Sequence, residues 1–385
     1  MAVELTDHGG HLLRAYHESE PDPGSDVVLT LDVNLQRTAE ELLDAALRRR
    51  AVQADDREPA GGAIAVMDVH GGELLVLASA PRFEPGVFVA GSSAERRAVL
   101  DDPAHPLFDR TIQMALPPGS VFKTLTAIAL LEAGSLDPQK PFACQGYLKR
   151  PDRQRCEIYV HHGIGHGDVT LADALAQSCN VYFFHHAGEL GPAAMVDWSG
   201  RLGFGRPTGV DLPGEASGMV PTPETIAKLE GHAWHTADTQ SMAIGQGSLT
   251  ATPLQVLRMM AAVANGGRLV APHVVQAVRP AQPIDGLKAS SLAAVAEGLR
   301  RVVADPKGTA HGTVALDSVA VAGKTGTASV GEGRAEHAWF AGYVPADRPR
   351  YALVVVLEHA GDAAAGPVAK RLVLKMAEIE LVPTL

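Results

Sequence analysis

Apolar and polar positions follow each other along the chain in patterns that predict helices and strands. An amphipathic helix is predicted over about residues 33–50, because apolar side chains recur there every three or four positions and form one stripe. The members of this stripe are Leu35, Ala39, Leu42, Leu43, Ala46 and Leu47. A β-hairpin follows, since the runs AIAVMDV and ELLVLAS flank the turn sequence HGG at residues 70–72.

The middle of the chain is predicted to be mainly helical. The helices run from LPPGS to Gly134 and cover LADALAQ, VYFFHHAGEL and TATPLQVLRMMAAVANGG. Residues 81–106 and 137–168 are predicted to be irregular, and residues 203–223 to form turns. The strands SVAVAGKTGTAS, AWFAGYVP and YALVVVLEH precede a closing helix over about residues 367–381. Strands at both ends with helices between them predict an α+β fold whose sheet joins distant segments.

The composition and charge of the chain argue against several classes of function. The chain has 385 residues, of which 46% are hydrophobic and 20% charged, as in ordinary globular proteins. Its net charge of −11 argues against nucleic-acid binding, which needs a basic face. No segment approaches the roughly 20 apolar residues that span a bilayer, and the first residues lack the apolar core of a signal peptide. The protein is therefore expected either to be cytoplasmic or to lack an upstream targeting segment in this chain.

The first candidate motif is SVFK at residues 120–123, directly after PPG. The prolines and the glycine predict the start of a helix, with Ser120 in its first turn. Positions i and i+3 are neighbours on a helix, so the Lys123 ammonium is expected beside the Ser120 hydroxyl. A lysine buried among apolar residues has a lowered pKa and can accept the serine proton. This pair alone decides little, because a capping serine near an unrelated lysine has the same spacing.

The second candidate motif is SCN at residues 178–180, at the predicted break between two helices. A hydroxyl and a carboxamide two residues apart at such a junction can face the same cleft. Ser178 is therefore a candidate proton relay, and Asn180 is a candidate ligand for a substrate amide. The triplet alone is also weak, since Ser and Asn are common helix caps.

The third candidate motif is KTGT at residues 324–327, inside an otherwise apolar strand. Gly326 allows a ligand or another backbone to approach closely. Strand alternation puts Lys324 and Gly326 on one face and Thr325 and Thr327 on the other. A twist or bulge would be needed to bring all of them to one cleft. A phosphate-binding loop is disfavoured because the G-x-x-x-x-G-K spacing before a helix is missing.

In this order the three motifs are specific, because each occurs once in the chain and the combination marks class A β-lactamases and penicillin-binding proteins. The chain resembles the transpeptidase domain of class B penicillin-binding proteins, most closely the elongation-specific type. Other segments carry the same resemblance. They are LTLDVNLQRTAEELL, GHGDVTLADALAQSCNVYFF, AIGQGSLTATPLQ and AWFAGYVP.

The resemblance implies how the chain is organised. Residues 1–26, an extended segment with a turn at residues 8–10 and a Pro/Gly linker, resemble the end of the family's pedestal domain. Residues 27–385 resemble the transpeptidase domain, an α+β penicillin-binding/β-lactamase-like fold with a mainly antiparallel sheet flanked by helices plus an all-helical lobe. The family's membrane anchor is absent from this chain, and the expected location is the extracytoplasmic (periplasmic) face of the membrane.

The resemblance also implies the activity, a peptidoglycan D,D-transpeptidase that needs no cofactor for catalysis and that β-lactams acylate. Ser120 is the expected nucleophile, Lys123 its base and Ser178 the proton relay. The oxyanion is expected between the backbone N–H groups of Ser120 and Thr327. Lys324 and the hydroxyls of Thr325 and Thr327 are expected to bind the terminal carboxylate of the stem peptide and to keep the Ser178 relay polarised, and Gly326 is expected to belong to the same substrate site. A glycosyltransferase of the elongation machinery is the expected protein partner.

Two other functions stay open. A serine β-lactamase of the same fold needs a glutamate in an E-x-x-L-N sequence after the second motif, and none occurs between Asn180 and Lys324. This favours a slowly deacylating penicillin target. The second alternative is a catalytically idle module that senses β-lactams or serves as a scaffold.

All three cysteines lie in one window of the chain together with a histidine. Cys144, Cys156, His166 and Cys179 would complete a tetrahedral zinc set, although no C-x-x-C pair is present. Some relatives of the elongation type carry metal ligands at what look like the corresponding positions. The hypothesis is a structural Zn²⁺ that braces Ser178 and Asn180. The alternatives are a Cys144–Cys156 disulfide with Cys179 as a small buried residue, or three free thiols.

Overall fold

A computed structural model of the chain describes residues 2–17, 24–53, 60–329, 335–361 and 364–383. The N-terminal residues form a two-stranded hairpin with its turn at residues 7–11, which agrees with the predicted turn. Part of the predicted Pro/Gly linker, residues 21–23, lies outside the described residues. None of the helices in the described ranges has the length and apolar character needed to cross a lipid bilayer.

The described residues contain eleven strands, which we number in chain order. They are β1 (Ala2–Thr6), β2 (Leu12–His17), β3 (Gly62–Asp68), β4 (Leu74–Ala80), β5 (Phe142–Cys144), β6 (Gly167–Val169), β7 (Arg268–Leu269), β8 (Gln282–Pro283), β9 (Ala322–Ala328), β10 (His337–Val344) and β11 (Tyr351–Leu357). Five of them form the main sheet, in the order β4-β3-β11-β10-β9, and every neighbouring pair is antiparallel. The sheet therefore joins segments from both ends of the chain, as predicted.

Fourteen α-helices lie within the described ranges. They are α1 (Val33–Gln53), α2 (Val87–Ala90), α3 (Ser93–Leu100), α4 (Lys123–Glu132), α5 (Glu157–His162), α6 (Leu171–Ala176), α7 (Asn180–Leu190), α8 (Pro192–Arg201), α9 (Pro223–Leu229), α10 (Thr236–Ala243), α11 (Pro253–Ala264), α12 (Ala289–Ala304), α13 (His311–Val314) and α14 (Ala365–Glu378). Local sequence explains several starts. The Thr252 hydroxyl accepts the N–H of Gln255 at the start of α11, and the Gln255 side chain accepts the Thr252 N–H in return.

The sheet separates two hydrophobic cores because its side chains alternate between the two faces. On one face, Ala65, Trp339 and Val354 join the core of the helical lobe, which includes α4, α7 and α11. On the other face, Ile64 and Phe340 pack in a second core with α1 and α14. The strands β3, β10 and β11 are buried along nearly their whole length, as expected for the centre of a three-layer arrangement.

The structure differs from the predicted elements in several segments. Residues 81–106, predicted to be irregular, contain the short helices α2 and α3, and residues 137–168 contain β5, α5 and β6. The helix predicted from LPPGS begins instead as a 3₁₀ helix, Gly119–Phe122, and continues as α4 only from Lys123. No helix was predicted for the segments that contain α8, α9, α10, α12 and α13. The short elements have weak sequence patterns of their own, whereas α12 has 16 residues with one apolar face and could have been predicted from its sequence.

Candidate active site

Ser120 lies on the 3₁₀ turn at Gly119–Phe122, which packs between β9 and the loop after α10. The preceding Gly119 has a φ of +55°, which favours glycine, and its N–H donates to the carbonyl oxygen of Gly245 at 2.9 Å. A Cβ on Gly119 would lie 2.4 Å from the carbonyl oxygen of Thr327. The turn can therefore approach β9 closely only because residue 119 has no side chain. The half-buried Ser120 is thereby placed next to the third motif.

Lys123 is fully buried, and its amine is held by the second motif. The Nζ atom donates to the Ser178 carbonyl oxygen at 2.8 Å and to the Asn180 Oδ1 atom at 2.6 Å, and lies 3.1 Å from Ser178 Oγ. Burial lowers the pKa of Lys123 to about 8. A neutral amine keeps two N–H groups for the two carbonyl-type oxygens and has a lone pair left to accept a proton. The backbone N–H of Lys123 donates to the Ser120 carbonyl across one 3₁₀ turn, while the expected position of the Lys123 amine beside the Ser120 hydroxyl stays a prediction.

The second motif occupies the junction between α6 and α7. Ser178 adopts a φ of +54°, an uncommon conformation for a residue with a side chain, and Asn180 is the first residue of α7. The Asn180 amide spans two parts of the molecule, because Oδ1 accepts from Lys123 and Nδ2 donates to the carbonyl oxygen of Arg155 at 3.0 Å. One N–H of this amide is left for another acceptor.

The third motif lies on β9, at the edge of the main sheet. Lys324 and Gly326 are buried, whereas Thr325 and Thr327 are half-buried, as strand alternation predicted. Pairing with β10 is regular from Ala322 to Ala328, so these residues of β9 contain no bulge that would turn all four to one side. A Cβ on Gly326 would lie 2.7 Å from the Pro118 carbonyl oxygen, so this glycine lets β9 pack against the nucleophile turn.

Two further residues adjoin these motifs and were not singled out from the sequence. Thr309, between α12 and α13, has its Oγ1 atom 2.7 Å from Thr325 Oγ1, and its N–H donates to the Ala176 carbonyl at 3.0 Å. It thus connects α6, the helix before the second motif, with the third motif. Gln246 Nε2 donates to the Thr327 carbonyl at 3.2 Å. Gln246 lies in a segment that carried the family resemblance, but no local signal points to Thr309.

The three cysteines and His166 come together behind the second motif. The Sγ atom of Cys156 lies 3.7 Å from both Cys144 Sγ and Cys179 Sγ, and Cys144 Sγ lies 3.5 Å from His166 Nδ1. The four candidate ligand atoms are all within 4.8 Å of one another. All three thiols are free, so the structure does not form the alternative Cys144–Cys156 disulfide.

Protons are shared unevenly within this cluster. Hydrogen bonds from Cys156 and Cys179 hold the pKa of Cys144 far below its usual range, whereas hydrogen bonding with Cys144 and Cys156 raises the pKa of Cys179. Burial would lower the pKa of His166, but hydrogen bonds with Cys144 and Cys156 outweigh it and raise the pKa to about 9. Adjacent buried thiolates repel each other, so full deprotonation of the three needs a cation between them. The donor set fits Zn²⁺, which prefers thiolate and imidazole ligands.

The comparison with known families decides the classification. The family model described as the penicillin binding protein transpeptidase domain matches residues 62–378. The chain belongs to this family. The three motifs and the five-stranded sheet all lie within the matched residues, and the predicted family and fold class are confirmed.

Curated relatives are similar to nearly the whole chain. Peptidoglycan D,D-transpeptidase MrdA from Acinetobacter baumannii is 34% identical over 391 residues, which covers 94% of this chain and 56% of that protein. MrdA from Escherichia coli strain K12 is 30% identical and covers 95% of this chain and 59% of its own length. The chain thus spans little more than half the length of these curated relatives.

Solved structures agree with the fold. PBP2 in a complex with MreC from Helicobacter pylori has a TM-score of 0.84 at 29% identity, and the match covers 99% of this chain and 69% of that one. Pseudomonas aeruginosa PBP2 in complex with WCK 5153 has a TM-score of 0.80 at 32% identity, with coverage of 91% and 78%. A chain from a peptidoglycan synthase complex that coordinates polymerization and crosslinking has a TM-score of 0.82 at 34% identity, with coverage of 97% and 66%.

Proposed function

We propose that the chain is a peptidoglycan D,D-transpeptidase that works through an acyl-enzyme on Ser120. The observation that carries this proposal is the buried Lys123 amine, which the second motif holds beside the nucleophile turn. A lysine with a pKa near 8 is a suitable base near neutral pH. The names of the relatives support the same activity.

In the first step, Ser120 Oγ attacks the carbonyl carbon between the two terminal D-alanines of a donor stem. Its proton passes to the neutral Lys123 amine, and the tetrahedral oxyanion is held by the N–H groups of Ser120 and Thr327. Collapse breaks the peptide bond, and the departing D-alanine nitrogen takes a proton from Lys123 through the Ser178 hydroxyl. In the second step, the amino group of another stem attacks the ester and loses a proton to the Lys123 amine, and the bond to Ser120 Oγ breaks as Lys123 returns that proton to the oxygen.

The proposed oxyanion site rests on the close packing of the nucleophile turn against β9. A Cβ on Gly119 would lie only 3.1 Å from the Thr327 nitrogen, so the backbone directly before Ser120 lies close to the Thr327 N–H group, which supports the two N–H groups as donors to one oxygen. Each such donor contributes roughly 3 kcal/mol to transition-state stabilisation. Thr325 and Thr327, on the half-buried face of β9, are proposed to hold the terminal carboxylate beside it, while Lys324 and Gly326 lie on the buried face of the same strand. A β-lactam carboxylate would occupy the same place.

Intact-mass spectrometry with a penicillin tests this proposal. The wild-type chain is expected to gain one penicilloyl group on Ser120 and to lose it slowly, while Ser120→Ala gains none. Rapid steady-state turnover of a chromogenic cephalosporin would identify a β-lactamase instead. A slowly lost adduct without D-alanine release from a stem pentapeptide would favour the sensing or scaffold module.

We also propose that Cys144, Cys156, His166 and Cys179 hold a structural Zn²⁺. Such an ion would link β5, the start of α5 and the start of α7, and so support Ser178 and Asn180 on either side of Cys179. Metal analysis combined with a thiol count is expected to give one zinc per chain. No metal with one free thiol per chain would instead establish the disulfide.

We propose that the domain acts on the extracytoplasmic (periplasmic) face of the bacterial membrane, with a glycosyltransferase of the elongation machinery. The structural matches to a peptidoglycan synthase complex and to an MreC-bound PBP2 support this setting. Co-purification with the cognate glycosyltransferase from a crosslinked membrane fraction tests it. Recovery of an unacylated chain from the cytoplasmic fraction alone would contradict it.

A further inference from the structure

A basic hairpin projects from the cysteine cluster next to the second motif. We use this term for residues 145–155, which Cys144 and Cys156 bracket. Tyr147 and Arg155 pair as an antiparallel bridge, and the N–H of Cys156 donates to the Gly146 carbonyl at 2.8 Å. The two cysteines that close the base lie 3.7 Å apart at their sulfur atoms. The hairpin is therefore a defined element rather than an unsupported loop.

The tip of this hairpin is strongly basic within an acidic protein. Residues 149–155 have the sequence KRPDRQR, which contains four Lys or Arg against one Asp and thus a local charge of +3, whereas the whole chain carries −11. Asp152 pairs with Arg150 and more loosely with Arg153. In the described part of the chain, the exposed side chains of Lys149 and Arg155 make no ion pair. The tip therefore has positive charge left for an external anion.

The basic hairpin is also attached directly to the catalytic centre. The Arg155 carbonyl accepts a hydrogen bond from Asn180 Nδ2, and the same Asn180 holds the Lys123 amine. On its other side, Gln154 hydrogen-bonds Gln240 of α10, the helix that leads into the loop against the nucleophile turn. The hairpin therefore contacts both the residue that holds the Lys123 amine and the helix that precedes the loop against the nucleophile turn.

We propose that the basic hairpin binds carboxylates of the stem peptide that lie upstream of the D-Ala-D-Ala end. This inference rests on the proposed function, because it assigns a second contact to the same donor substrate. Stems that contain glutamate or a diamino dicarboxylic acid present such carboxylates, and guanidinium groups bind them well. In a chain of net charge −11, a local basic element also offsets the repulsion of an anionic substrate.

Peptide binding to the full chain carrying Ser120→Ala tests this inference without turnover. Fluorescence anisotropy compares a labelled stem pentapeptide that contains glutamate with the same peptide containing glutamine. The glutamate peptide is expected to bind about fivefold more tightly at low salt, and this preference is expected to shrink at high salt. The variant Lys149→Gln/Arg153→Gln/Arg155→Gln is expected to lose the preference.

A second triple variant is the matched control. Arg300 on α12, Arg348 between β10 and β11, and Arg371 on α14 are exposed and lie on other elements. Their replacement by glutamine removes the same charge and is expected to preserve the peptide preference. Equal binding of both peptides by the unsubstituted hairpin would overturn the inference, as would a preference that only the control variant abolishes.

Two further results separate this inference from its competitors. Loss of binding to phosphatidylglycerol vesicles in the hairpin variant, with an unchanged peptide preference, would overturn it in favour of a lipid contact. Acylation of wild-type Ser120 by penicillin is measured separately and tests the proposed function. A chain that is acylated but shows no peptide preference therefore refutes the hairpin proposal alone.

Discussion

The replacement Asn180→Asp puts a carboxylate where the amide oxygen now lies 2.6 Å from the Lys123 amine. A charge of opposite sign at this distance favours the ammonium form and raises the pKa of a lysine by about 1–3 units. Because only the neutral amine accepts the Ser120 proton, the variant is expected to need a higher pH for acylation than the wild type.

The expected change in the acylation rate follows from the lowered pKa of Lys123, which is about 8. About one tenth of the wild-type lysine is then neutral at pH 7 and about nine tenths at pH 9, so acylation is expected to rise nearly tenfold across this range. A pKa one unit higher in Asn180→Asp leaves about one hundredth neutral at pH 7. Acylation at pH 7 is therefore expected to fall about tenfold, and the deficit is expected to narrow as the pH approaches 10.

The second-order rate of acylation by a fluorescent penicillin, measured from pH 6 to pH 10 in both proteins, checks this prediction. Thermal unfolding in the same buffers monitors folding, because the substitution also removes the hydrogen bond from Asn180 Nδ2 to the Arg155 carbonyl. A variant that is slower by the same factor at every pH would show that the loss is structural. A wild-type rate that does not change between pH 7 and pH 9 would refute Lys123 as the base.

Three other replacements test separate parts of the site. Gly119→Ala puts a Cβ 2.4 Å from the Thr327 carbonyl oxygen and is expected to slow penicillin acylation at least tenfold. The control Gly134→Ala lies at a φ of +67° with open space around it, and is expected to lower the free energy of unfolding by about 1 kcal/mol without changing the acylation rate. Equal acylation rates in the two variants would contradict the argument that Gly119 lets the nucleophile turn pack against β9. Thr309→Val removes the hydroxyl that contacts Thr325 and is expected to raise KM for a D-Ala-D-Ala substrate about fivefold with little change in kcat. Thr309→Ser keeps a hydroxyl and is expected to restore the wild-type KM. A loss confined to kcat would show that this contact does not contribute to substrate binding. Cys144→Ser is expected to abolish zinc binding and to lower Tm by about 5–10 °C relative to the zinc-loaded wild type, and an unchanged Tm with zinc still bound would remove Cys144 from the proposed ligand set.

The helices and strands could be predicted from the sequence where the local pattern of apolar and polar residues was strong. The stripe of α1, the hairpin of β3 and β4 and the apolar runs of β10 and β11 each occupy consecutive residues that repeat with a clear period. The candidate site followed from three short motifs whose residue types carry chemistry. The structure brings the first two motifs together at the Lys123 amine, whereas the roles given to Ser120, Lys123 and Asn180 stay predictions.

Several parts of the fold and of the candidate site that were not predicted depend on contacts between residues far apart in the chain. The position of the 3₁₀ turn that carries Ser120 depends on two residues far away in the chain. Gly119 donates a hydrogen bond to the Gly245 carbonyl and packs closely against the backbone of Thr327. The contact of Thr309 with Thr325 depends on where α12 ends relative to β9, which no periodic pattern records. The same holds for the short strand β5, which pairs with β6 across more than twenty residues beside the cysteine cluster. Local propensity is too weak to decide such elements.

The strand order β4-β3-β11-β10-β9 has a consequence for how the chain folds. The central strand β11 ends at Leu357, so the two halves of the sheet remain unjoined until almost the whole chain is available. Until then, the buried strands β3 and β10 each have an open hydrogen-bonding edge and two uncovered apolar faces. Such a topology has many non-local contacts, which slow folding and expose nascent chains to aggregation. Any truncation before β11 should therefore yield chains that are captured by chaperones or degraded, even when all three catalytic motifs are present.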